Sequence, residues 1–258
     1  MDALRAMDGL LEYCERLAPG FLRTIRGASE ADLARLESLS GQALPAEYRA
    51  FLARMGRSAP KSLAPFFSDV EFGIEVAERF YLEPPIPVPP DAVFLWTLDR
   101  DCDMFLPTTA EWAPPLPVLL FHWPIDEVSG GFLAHDRQVT VISRSLMTFL
   151  YREAFQRLRS PSLAHRLDLR ENAGPDERTE LRAAERKERF RSLAAELGFR
   201  PLPFLDPDIL HYDREDAALS LFSRVLAEDS LSVYADDVRE AGRLAEILCE
   251  RLDVRRLR

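Results

Sequence analysis

Three carboxylates at alternate positions, Asp99, Asp101 and Asp103, have the spacing that most resembles a ligand set. Asp-x-Asp-x-Asp opens a calcium loop, in which alternate oxygens wrap a hard cation. Such a loop needs Gly at its sixth position and Glu at its twelfth. Counted from Asp99 those places hold Met104 and Ala110, so no calcium site is expected, and neither a metal nor a cofactor is assigned. The four histidines, His122, His135, His165 and His211, are scattered without ligand spacing. His122 lies between Phe121 and Trp123 in an apolar run, where a hydrogen-bonded structural role is favoured over a base. His135 and Asp136 are adjacent, and adjacent strand residues point to opposite faces, which argues against an acid-base pair. No nucleophile elbow, phosphate loop, dinucleotide fingerprint or HExxH helix occurs. The residues point away from an enzyme and assign no catalytic residue.

Charge is the stronger signal. Residues 69–136 carry thirteen acids against two bases, Arg79 and Arg100, a local net charge of −11, while the rest of the chain sums to +1 and the whole to −10. The entire net charge thus sits in one segment. A surface of this sign repels nucleic acid and anionic membrane and attracts a cationic protein. Asp99, Asp101, Asp103, Asp126 and Glu127 are the candidate charge contacts, and Trp123 a candidate aromatic anchor. The competing reading is a solvated acidic face with no partner.

The elements that must position these residues read as strands. Residues 93–98 and 104–106 are apolar runs around Asp99, Asp101 and Asp103, a hairpin whose turn displays three carboxylates. Residues 118–123, 132–134 and 138–142 follow as short strands, and residues 146–158 as a helix covering one face of a mainly antiparallel sheet. Residues 83–90, rich in proline, form an extended connector.

Upstream, Ser29 and Asp32 form a capping box opening a helix over Leu33, Leu36 and Leu39 that Gly41 ends. A second helix opens at Leu44-Pro45, with Pro45 in its first position and Glu47 in its first turn. Tyr48, Phe51, Leu52 and Met55 then form one apolar stripe, and Gly56 supplies a positive-φ stop. These residues build a helical hairpin.

This order, a capped acidic helix, Leu-Pro, Tyr, Phe-Leu and a glycine stop, resembles the opening of the SUKH superfamily, with Met55-Gly56 where that family commonly has Asn-Gly. The later hairpin, strand and closing helix resemble the family's later order, covering residues 10–155. The resemblance implies an α+β domain that binds protein without catalysis. In the immunity branch it neutralises a bacterial toxin; in the fungal cell-wall branch it acts as a regulator or scaffold on host proteins.

At 258 residues, 47% hydrophobic, the chain can bury a core without disulfides. Cys14, Cys102 and Cys249 are isolated and odd in number, which fits reduced thiols. Neither a signal peptide nor a membrane span is read, so the expected compartment is the cytoplasm. A break at residues 172–175 divides a SUKH-like domain, residues 1–159, from a small α+β unit, residues 176–258. In that unit residues 209–212, 219–225 and 231–234 read as strands, and residues 237–252 as a helix with Val238, Ala241, Leu244, Ala245 and Leu248 on its apolar side. The expectation is an α+β fold: an N-terminal helical hairpin on a mainly antiparallel sheet, followed by a smaller unit. Its expected function is that of an immunity protein meeting the basic surface of a cognate toxin, possibly a nuclease, through acidic residues.

Overall fold

A computed structural model describes residues 2–57, 71–86, 88–99, 102–109, 111–112, 115–123, 138–172, 180–204, 206–223 and 229–257. The chain is α+β and divides into two compact units, Met1–Glu153 and Ala154–Arg258. The division falls inside the expected closing helix rather than at residues 172–175.

In the first unit, α1 (Ala3–Leu17), α2 (Glu30–Ser40) and α3 (Ala46–Met55) precede β1 (Glu71–Phe72) and α4 (Ile74–Leu82). Strands β2 (Ala92–Asp99), β3 (Cys102–Pro107), β4 (Val118–His122) and β5 (Gln138–Ser143) follow, then α5 (Leu146–Ala154). The five strands lie in sequence order, each antiparallel to the next. The expected strand at residues 132–134 lies outside the described residues. Apolar β2 is buried on both faces, and a register shift between Phe94 and Trp96 sends these two rings to opposite sides. Phe94 stacks on Phe80 of α4 at 4.0 Å, while Trp96 meets Phe51 of α3 at 6.2 Å and Phe149 of α5 at 5.4 Å.

The predicted capping box is present: the Asp32 amide donates to Ser29 Oγ at 3.2 Å, and the Ser29 amide to Asp32 Oδ2 at 2.8 Å. Pro45 stands one place earlier than expected, as the extended cap before α3. Glu47 reaches beyond its own helix and accepts the Met147 amide at 3.3 Å, capping the first turn of α5. Gly56 is not a left-handed stop, since its φ is −71°. Glycine is required there by space instead, because a Cβ would lie 2.5 Å from the Leu52 carbonyl oxygen. The Gly56 carbonyl accepts the Ile74 amide at 2.7 Å, and the intervening Gly73 holds φ +115°.

The second unit contains β6 (His165–Glu171), α6 (Glu180–Glu196), β7 (Arg200–Pro201), β8 (Ile209–Arg214), β9 (Ala217–Phe222), β10 (Ser230–Ala235), α7 (Val238–Leu252) and β11 (Val254–Arg256). Its antiparallel sheet runs β11-β6-β10-β9-β8-β7. Helices α6 and α7 bury Phe190, Leu193, Leu244 and Leu248 with Leu169, Leu219, Leu231 and Val233 of the sheet. Val238, expected on that apolar face, is 60% exposed at the first position of α7, ahead of the first buried residue, Ala241. A π-helical turn, Phe155–Arg159, supports the strands: Phe155 stacks on His211 at 4.2 Å, and buried Arg159 donates to Asp213 and to the carbonyls of Arg214 and Glu215.

Candidate functional site

Strands β2 and β3 are paired from Asp99 opposite Cys102, so Asp103 already stands one residue inside the ladder, opposite Thr97 and Phe121. Its carboxylate accepts from Thr97 Oγ1 at 2.7 Å and from Trp123 Nε1 at 3.1 Å. Asp103 is 4% exposed and Trp123 1%. Burial pushes the Asp103 carboxyl up from the ordinary aspartate value, while hydrogen bonds from Thr97 and Trp123 pull it down. These two residues therefore cannot be surface contacts, and the reading of a turn displaying three carboxylates fails at Asp103. Asp99 is the last residue of β2, and Asp101, Asp126 and Glu127 lie outside the described residues.

The aromatic side of the sheet explains where Trp123 goes. Residues directly opposite in an antiparallel pair share a face. Phe94, Phe105, Phe121 and Trp123 make one row, with successive centroids 5.8, 4.6 and 5.8 Å apart. Leu119, Phe121 and Trp123 alternate in sequence, and that period is the signal placing Trp123 in the core. His122, between the last two, is exposed. His135 and Asp136 lie outside the described residues.

Several acids of the −11 segment do reach solvent. Glu75, Glu83, Asp91 and Glu111 are exposed, whereas Glu78 is half-buried and lies 3.4 Å from Arg35. Asp91 immediately precedes β2, and its carbonyl accepts the Thr108 amide at 2.9 Å, joining it to the stretch after β3. That stretch carries Glu111 beside Trp112, which is 40% exposed. Trp112 is thus an accessible aromatic that the sequence reading missed; it lies outside any periodic run and beside an acid.

The apolar row does not stop at β4. Val139 is opposite Phe121 and Val141 opposite Leu119, and these valines are 48% and 49% exposed. Among the described residues, β5 is the last strand of the sheet.

In the second unit Arg186 of α6 bonds both Glu171, at 2.6 Å, and Asp229, with both carboxylates buried. The Glu171 and Asp229 backbones also bond, the amide of the first to the carbonyl of the second at 3.2 Å. This cluster ties α6 to the ends of β6 and β10. Among the described residues no group of three His, Cys, Asp or Glu side chains is placed to hold a metal ion, and no helix is long and apolar enough to cross a membrane.

No protein-family model matches this sequence, and no curated protein matches it.

Proposed function

We propose that this chain is a noncatalytic protein-binding protein of the immunity type, whose first unit engages a cationic protein and blocks it. The observation that carries the reading is the confinement of the whole net negative charge to residues 69–136, whose described residues include β1 to β4 of one unit. Support comes from the order of the elements: a capped α2, Leu44-Pro45 before α3, an antiparallel meander and a closing α5, as the SUKH resemblance implies. The partner is a toxin domain with a basic cleft, most naturally a nuclease, since nucleases gather Lys and Arg where phosphates bind. Carboxylates occupy that cleft as phosphate mimics.

The contact set is revised by burial. Asp99, Asp101, Asp126 and Glu127 remain proposed contacts, Asp103 and Trp123 leave the set, and Glu83, Asp91, Glu111 and Trp112 enter it. The test is inhibition: the purified chain, added at equimolar amount to the cationic protein it captures from its own cells, abolishes that protein's nuclease or other toxic activity. Undiminished activity in the complex contradicts the immunity reading.

A further inference from the structure

We infer that Cys102 is a thiol-modification site, where a low-molecular-weight disulfide forms a mixed disulfide and His122 acts as the base. Cys102 of β3 stands directly opposite His122 of β4, and His122 directly opposite Gln138 of β5. Residues directly opposite in antiparallel strands share a face, with Cβ atoms about 4.5–5.5 Å apart, which places the thiol within reach of the imidazole. One row further in, Met104 stands opposite both Trp96 and Leu120. The Cys102 row is therefore the end of the side on which Trp96 meets α3 and α5. Cover falls away toward that end: Met104 is 4% exposed, Cys102 is half-buried, and His122 and Gln138 are exposed.

The three cysteines form no disulfide and differ in their surroundings. Cys14 is 1% exposed, and burial pushes its thiol up to about 12. Burial also raises the Cys249 thiol. Cys102 instead has an imidazole across the strand pair. On its other side the register puts Asp99 of β2 opposite it, and Gln138, beyond His122, is neutral. A thiolate is the attacking species in disulfide exchange, and an adjacent imidazole takes the thiol proton.

In the exchange the Cys102 proton passes to His122, and Sγ attacks one sulfur of the small disulfide. A new S–S bond forms as the old one breaks, and the departing thiolate takes the proton back from the imidazolium. Cys102 is oxidised, and the disulfide is reduced to one released thiol and one bound half.

Cystamine added to the whole reduced chain is the probe, with mass spectrometry of the cysteine peptides over time as the readout. Cys102 is expected to gain the adduct about tenfold or more faster than Cys249 at neutral pH, and dithiothreitol to remove it. His122→Asn and His122→Gln remove the base at an exposed position. Each is expected to slow Cys102 about tenfold and to leave Cys249 unchanged. A rate at Cys102 no faster than at Cys249 overturns the proposal. So does an undiminished rate at Cys102 in a folded His122 variant, since exposure alone then sets its reactivity.

Discussion

Trp123 donates its indole N–H to the Asp103 carboxylate across 3.1 Å, in surroundings that leave the two side chains 1% and 4% exposed. A residue pair that reads in sequence as an acidic contact and an aromatic anchor is an internal brace between β3 and the end of β4. Asp103→Ala removes the acceptor for both Trp123 and Thr97 and is expected to cost about 1–3 kcal/mol in urea unfolding. Asp103→Asn can accept from the indole and donate to Thr97 Oγ1, so it is expected to retain most of the stability.

The same pair sets a pH dependence. Burial raises the Asp103 and Glu47 carboxyls in the folded chain, so each binds a proton more readily folded than unfolded. Their contribution is fully present below the unfolded carboxyl values and is lost as pH rises through the folded ones. Glu240 acts oppositely: Arg243 and Arg214 hold it down at about 2, so its contribution is present above the ordinary glutamate value and is lost as pH falls toward 2. Asp103→Asn is expected to flatten the decline between acid and neutral pH, measured as unfolding free energy at several pH values. An unchanged profile contradicts the assignment.

Two glycines should respond with opposite signs to the same substitution. A Cβ at Gly27 would sit 1.8 Å from the Ala53 carbonyl oxygen, where the chain crosses the end of α3 and Ala28 donates to Leu52 at 2.8 Å. Gly27→Ala is expected to destabilise by about 1–3 kcal/mol. Gly242 lies within α7 with nothing within 4 Å of a new Cβ, and Gly242→Ala is expected to stabilise by about 0.5–1 kcal/mol. Thermal unfolding of the two variants checks both signs.

Arg186 pairs with two buried carboxylates at once. Arg186→Met is expected to cost about 3–5 kcal/mol, because Glu171 and Asp229 then lose their shared cation inside the unit. Arg191→Met, on the same helix but in an exposed pair with Glu188, is expected to stay within about 0.5 kcal/mol. Equal losses in denaturant unfolding would remove the special role of the buried cluster.

Sequence legibility followed the range of the interaction. The Ser29–Asp32 box spans three residues, and it was readable because both partners lie within one turn. The meander was readable because its apolar runs are short and separated by polar stretches. Burial of Asp103 was not, since it depends on the pairing of three strands and on an indole twenty residues away. Strand β6 was missed for another reason. His165–Glu171 alternates Leu167 and Leu169 with Arg166, Asp168 and Arg170, and so many charges resemble a linker until both neighbours, β10 and β11, are in place. The sequence marks Gly56 as the stop but misassigns the reason, because the close approach of its Cα to the Leu52 carbonyl leaves no pattern in the sequence.

The binding account separates charge from anchoring. Asp99→Lys with Asp101→Lys is expected to slow association with the cationic partner and flatten its salt dependence, with the dissociation rate little changed. Trp112→Ala is expected to raise the dissociation rate, by about 2 kcal/mol in affinity if the indole is a buried anchor of the complex. Stopped-flow mixing of each variant with the captured partner reads both rates. Charge-reversal variants with wild-type association rates remove the acidic residues from the interface.

The most direct measurement is affinity capture of the tagged chain from its own cell lysate at low and high salt, with mass spectrometry of the retained proteins. The account predicts a cationic toxin or nuclease domain that is held at low salt and released at high salt. A retained set of acidic proteins, retention independent of salt, or capture of nothing contradicts it.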